Sequence, residues 1–219
     1  MSLLDKATLI TTPTAHSNGV LHSIKGGSVA DFDVVRGSAA TRVNAEGLIE
    51  DIVANIPRLD YTDGTASILL EPQSTNLIPY SEDFNDASWF AGNSSVVAND
   101  VISPDGSLTA DKIIFNAVPN SNIQKSVPIT VTSGVDYTFS FYARSDSNVS
   151  NVNIDTGAGD VSIAVTNEWQ RFTRTITSTG TTLPTTLVTR NSVSSYIYIW
   201  GAQFEALPHA TSYIPTSGA

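Results

Sequence analysis

The chain has 219 residues, 41% of them hydrophobic, enough to bury a core without covalent staples. It has no cysteine, which excludes a disulfide framework and a thiolate metal site, and its net charge of -10 argues against a nucleic-acid partner. The start lacks a basic segment leading into an apolar run, and no stretch is long enough to cross a bilayer as a helix. The expectation is therefore a soluble, unprocessed chain without membrane insertion.

Residues 1 to 75 are heterogeneous. Short apolar patches such as ATLITT and GLIEDIVANI alternate with SNG, GGS and TDGT, which are turn sequences. Leu48, Ile49, Ile52 and Val53 recur at helical spacing, so a short helix over 46–54 competes with two short strands around Asn44 to Gly47. From about residue 77 the pattern is that of strands: short period-two runs separated by Gly, Pro, Asn and Asp clusters. In VDYTFSFYARS, Tyr137, Phe139, Phe141 and Ala143 share one face, and Thr138, Ser140, Tyr142 and Arg144 the other. EWQRFTRTITST places Phe172 and Ile176 opposite Trp169, Arg171, Thr173 and Thr175. DKIIFNAV, NVNIDTG, VSIAVT and SYIYIWGAQFEAL supply further strands. The predicted fold is all-β, an antiparallel jelly roll or β-sandwich over 76–219, preceded by an irregular attachment segment over 1–75.

Catalytic patterns do not emerge. His16, His22 and His209 are scattered, there is no G-x-S-x-G elbow and no phosphate-binding glycine loop, and no second acid stands opposite the first for glycoside cleavage. The expectation is a protein that is not an enzyme. Glu82, Asp83 and Asp86 cluster in YSEDFNDASW, either as turn-stabilising residues of a solvated loop or as ligands of a structural Ca²⁺ that pins the ends of the sandwich.

The aromatic residues admit two readings. Tyr196, Tyr198 and Trp200 match Ala202 and Phe204 in parity, as a face turned to a core or subunit contact would, or they form a sugar platform. The outward set Thr138, Ser140, Tyr142 and Arg144, joined by Trp169 and Arg171, is either a solvated sheet face or a carbohydrate site combining rings with hydroxyl-binding polar groups. The glycan-binding candidates are thus Tyr142, Arg144, Trp169, Arg171 and Trp200.

RVNAEGLIEDIVANIPRLDYTDGTASILLEPQSTNLIPYSEDFNDASW and the ending IYIWGAQFEALPHATSYIPTSG resemble a signature of bacteriophage virion proteins of tails and fibres. The likeness is close over 42–89 and 196–217, and the stretch between resembles that family only in strand pattern. It implies a virion location, as a tail or fibre component or a head decoration, a sandwich similar to carbohydrate-binding modules, no enzymatic activity, other virion proteins as partners and a homotrimeric assembly. A host-surface glycan is the expected external ligand. A carbohydrate-binding module acting alone or beside a depolymerase is the alternative. The opening forty residues have too little apolar periodicity for a core of their own, so neighbouring virion subunits are expected to hold them.

Overall fold

A computed structural model describes residues 10–17, 19–25, 32–189 and 193–218. The described residues are strands and connecting turns, without helix, in two compact units, Met1–Pro72 and Gln73–Ala219.

In the first unit, β1 (Ile10–Ser17), β2 (Val20–Lys25) and β3 (Phe32–Asp33) form an antiparallel meander. Hairpins follow, of β4 (Ala40–Val43) with β5 (Ile49–Ile52) and of β6 (Leu59–Asp60) with β7 (Ser67–Ile68). The helical alternative over 46–54 loses to the β4–β5 hairpin because the turn is built for it. Asn44 Oδ1 accepts from the Glu46 and Leu48 amides, and Gly47 takes φ +82°, which suits glycine. Apolar burial is thin, with Leu21, Ile49 and Leu59 as the buried apolar side chains of the described residues. Charged groups hold the loops instead. The Arg36 guanidinium donates to the carbonyls of Ser38, Ile52, Val53 and Ile56, buried Arg58 pairs with Glu71 at 2.8 Å, and Asp60 accepts from the Val43 and Thr62 amides. Of the ATLITT patch, residues 7–9 lie outside the described residues.

The second unit contains β8 (Trp89–Gly92), β9 (Ser94–Val101), β10 (Ala110–Phe115), β11 (Ser121–Lys125), β12 (Ile129–Thr130), β13 (Asp136–Arg144), β14 (Val149–Asp155), β15 (Asp160–Val165), β16 (Gln170–Thr177), β17 (Thr182–Leu183), β18 (Thr186–Thr189) and β19 (Ser195–Glu205). They form two five-stranded antiparallel sheets, β16-β13-β19-β10-β9 and β15-β14-β18-β11-β8, with a small β12–β17 ribbon. The inner faces share one core that includes Ile113, Phe139, Phe141 and Ile197 from the first sheet and Ile123, Val152, Ile154 and Leu187 from the second. This is the predicted all-β sandwich.

The alternation read in β13 places Tyr137, Phe139, Phe141 and Ala143 in the core. Its opposite face is not solvated, because Thr138 and Ser140 are fully buried. The chain after β19 turns back across this face as a strap, and Thr138 Oγ1 donates to the Leu207 carbonyl.

In β19 the parity inferred from sequence holds only as far as Trp200. Tyr142 pairs with Trp200 while Ser140 pairs with Gln203, so Gly201 and Ala202 together oppose Phe141. This is a β-bulge, with Gly201 at φ +64°. The extra residue reverses the alternation. Ile197, Ile199, Ala202 and Phe204 enter the core, whereas Tyr196, Tyr198 and Trp200 lie on the outer face of the sheet. The expectation that Trp200 shares a face with Ala202 and Phe204 is therefore corrected.

Candidate functional site

The strap explains most of the outer face of the first sheet. Buried Glu205 accepts from the Thr211 amide and hydroxyl, and Gln203 accepts from the Ile214 amide while donating to Ser212. Asn76, upstream of the sandwich, satisfies all its hydrogen-bonding capacity here. Its Nδ2 donates to the Ala202 and Ile214 carbonyls, and its Oδ1 accepts from the Ile78 and Phe204 amides, each at 3.0 Å. Tyr213 completes the clasp: its hydroxyl lies 2.6 Å from Ser81 Oγ and donates to Glu82 at 2.8 Å, while its ring packs on Trp200 at 4.4 Å between centroids. Burial, with the Glu82 charge nearby, pushes the Tyr213 phenol far up and keeps it protonated. The segments LLEPQSTNLIPYSEDF and WGAQFEALPHATSYIPTSG thus bond to each other across the fold.

Three of the five glycan-binding candidates serve this clasp. Trp200 is 1% exposed and donates to Thr109 Oγ1 at 3.1 Å, so it presents no open ring face. Arg171 donates to the Thr211 carbonyl at 2.6 Å and to Ser140 Oγ at 3.1 Å, which commits its guanidinium to the strap. Tyr142 lies beneath Arg171 and against Trp200.

The other two, Arg144 and Trp169, stand in a half-buried cluster beside the strap. The Arg144 guanidinium packs over the Tyr198 ring at 4.7 Å and the Trp169 ring at 5.7 Å, and pairs with exposed Asp146 at 3.0 Å. Asp146 also accepts from the hydroxyls of Tyr198 (2.8 Å) and Tyr196 (3.2 Å), while Lys112 lies 4.2 Å over the Tyr196 ring. The Tyr198 hydroxyl above all, then Tyr196 and Arg144, holds Asp146 below the ordinary carboxylate range. Burial, reinforced by Asp146, raises the Tyr198 phenol to about 12. At neutral pH the cluster therefore presents a carboxylate and neutral phenols beside the Arg144 and Lys112 side chains. Sequence reasoning missed Tyr196 and Tyr198 as partners of Arg144, because the bulge at Gly201 decides which face they occupy; a glycine inside a strand pattern is the signal that could have shown it.

The acidic triad does not converge. Asp83 Oδ1 accepts from the Asn85 amide, Asp86 Oδ1 from the Ser88 amide, and Glu82 from Tyr213. Among the described residues no group of three or more His, Cys, Asp or Glu side chains could hold a metal ion. Of the two readings of Glu82, Asp83 and Asp86, the geometry matches the turn-stabilising one for Asp83 and Asp86, while Glu82 receives a phenol. A cleft of about 690 Å³ beside them is lined in part by Tyr80, Glu82, Asn99, Asp111 and Thr216. Asp111 there is 1% exposed, with its oxygens accepting from the Phe84 and Asn99 amides, and burial raises it to about 6.

The fold and site define a two-unit all-β protein whose sandwich is closed by its own C-terminal strap. No family model matches the sequence, and no curated protein matches it. Among solved structures, a CBM4 protein is similar at 14% identity and TM-score 0.41, over 55% of this chain and 95% of that one. The CBM22-1 xylan-binding domain of Paenibacillus barcinonensis Xyn10C is similar at 14% identity and TM-score 0.42, over 63% of this chain and 95% of that one. The enzymatically active domain of bacteriophage CBA120 tailspike protein 4 is similar at 15% identity and TM-score 0.40, over 56% of this chain and 20% of that one.

Proposed function

We propose that this chain is a non-enzymatic structural protein of a bacteriophage virion. Its N-terminal unit anchors it to the particle, and its sandwich is displayed and binds a host-surface glycan weakly through the Arg144 cluster. The observation that carries the glycan reading is Arg144 packed over the Trp169 and Tyr198 rings with Asp146 at its side. A guanidinium and a carboxylate can serve sugar hydroxyls as donor and acceptor, and an adjoining indole offers apolar surface for a pyranose. One such site is weak, since a single ring contributes roughly 1.5–3 kcal/mol and millimolar affinity needs about 4 kcal/mol. Many copies, as homotrimers on a particle, compensate by effective concentration. The virion reading is supported by the likeness of residues 42–89 and 196–217 to phage tail and fibre proteins.

The test is a glycan array probed with the full chain and with whole particles. Retained glycans are expected to lose at least tenfold in affinity with Arg144→Ala or Trp169→Ala. Blank arrays for both preparations refute glycan binding and leave an architectural role. Particles imaged with a label on this protein test the virion location, and a chain beginning at residue 42 that still incorporates normally would show that the arm is not the anchor. Binding by a protein that no particle carries would favour a module working beside a depolymerase.

A further inference from the structure

We infer that one end of the sandwich interior is a binding site for a small monovalent anion, held between the amine of Lys125 and the hydroxyls of Thr185 and Thr156. Lys125 closes β11 two residues after core Ile123, so its side chain turns inward between the sheets, and it is 8% exposed. Its Nζ makes no hydrogen bond or ion pair among the described residues and lies 5.5 Å from the centroid of the Trp89 ring. The Lys125 amide donates to the Thr185 carbonyl. The register that pairs Gln124 with Thr186, and Thr186 with Asp155, then sets Thr185 beside Lys125 and Thr156 beside Thr185. Thr185 stands two residues before core Leu187 and Thr156 two after core Ile154, so both side chains also point inward. They are 1% and 0% exposed, and neither hydroxyl has a hydrogen-bond partner.

Three polar groups in one inward row, each more than nine-tenths buried and unpaired, are costly: burial removes their water and no protein group replaces it. Side chains opposite each other on paired strands stand roughly 5 Å apart at Cβ, so an ion over Thr185 is within reach of the lysine stem and of both hydroxyls. Burial pushes the Lys125 amine down, and the Asp86 carboxylate pulls the other way without forming a salt bridge; its Oδ1 accepts from the Ser88 amide. An anion bound in the row would offset that cost and satisfy all three groups at once.

The donor set selects the ligand. A lysine nitrogen only donates and a hydroxyl can donate, so the row suits an acceptor and repels a cation. Arg174 reaches the same end from the first sheet, but its Nη1 and Nη2 donate to the carbonyls of Ile154 and Ala158. One amine therefore balances one negative charge, and a doubly charged phosphate or sulfate would carry uncompensated charge into the core. Packing limits the size as well. A Cβ on Gly157, next to Thr156, would meet Pro184 Cδ at 3.2 Å, and Trp89 and Leu183 belong to the same core, so the ligand is of halide size. This site lies inside the sandwich, independent of the glycan reading and of the Arg144 cluster.

The experiment is thermal unfolding of the full chain in sodium chloride and in sodium gluconate at matched ionic strength. A ligand that binds only the folded state should raise Tm by roughly 3–5 °C for each tenfold rise in chloride above its dissociation constant, and gluconate, too large for the row, should not. Lys125→Met keeps the stem and removes the amine, so the difference between the two salts is expected to vanish. Thr185→Val, which keeps the shape and removes one hydroxyl, should weaken chloride at least tenfold. Crystals of the unaltered chain soaked in bromide give a readout that does not depend on any variant folding: an anomalous peak is expected between the sheets, within hydrogen-bond distance of Lys125 Nζ and Thr185 Oγ1. Equal Tm in the two salts, a chloride effect that survives Lys125→Met, or bromide found on the surface alone, as an adventitious ion only, would overturn the inference.

Discussion

Replacing Asn76 by alanine tests whether the strap is an integral part of the sandwich. The side chain is 6% exposed and makes four hydrogen bonds, two donated to the Ala202 and Ile214 carbonyls and two accepted from the Ile78 and Phe204 amides. A buried hydrogen bond contributes about 1 kcal/mol net, and its loss leaves a backbone group unpaired, so Asn76→Ala should cost about 3–5 kcal/mol. Urea unfolding followed by tryptophan fluorescence measures it, because Trp200 lies directly beneath Tyr213 of the strap. Asn76→Asp refines the test. The carboxylate keeps both acceptor roles but confronts two carbonyls, and protonation at low pH restores one donor. Asn76→Asp should therefore regain stability on acidification relative to Asn76→Ala. A loss below about 1 kcal/mol for Asn76→Ala would refute the reasoning, since the strap would then be resting on the sheet rather than fastened to it.

Gly201→Ala places a Cβ at φ +64°, 3.2 Å from Tyr213 Cε2 and 3.4 Å from Tyr142 Cδ2, and should lower stability by about 1–3 kcal/mol, readable as a fall in Tm. Tyr213→Phe retains the ring packing but removes the hydroxyl shared with Ser81 and Glu82; a loss of about 1–2 kcal/mol in the same unfolding assay is expected. Asp111 gives a pH signature. Its folded pKa of about 6 exceeds the ordinary 3.8, so the folded state binds the proton more tightly, and this contribution is present below pH 3.8 and lost as pH rises through 6. The difference corresponds to roughly 3 kcal/mol. Asp111→Asn should flatten that segment of the stability–pH curve, while lowering stability overall because one of the Phe84 and Asn99 amides then faces an NH₂ group. Curves of equal slope for the two proteins would contradict the assignment.

Much of the architecture is legible in local patterns. The alternation in 137–143 predicts which side chains of β13 meet the core, because a pleated strand with one apolar set must turn that set inward. The turn at Asn44 to Gly47 and the scarcity of apolar residues before it likewise appear in the first unit as a polar-braced hairpin with little buried apolar surface. The outward face of β13 could not be read in the same way. Thr138 and Ser140 look solvated in sequence, and only a strap arriving from more than sixty residues away buries them.

The same limit governs the site. Sequence alone grouped Tyr142 with Arg144 on one strand and Trp169 with Arg171 on another, since parity along each strand requires it; that the two strands pair was decided by the tertiary structure. Tertiary structure decided that Arg171 is committed to the strap, that Trp200 is sealed beneath Tyr213, and that Tyr196 and Tyr198 join Arg144. The physical reason is that strand periodicity is a property of neighbours in the chain. A single bulged glycine, or a covering segment from the far end, changes which surface meets water without altering the local pattern of either strand.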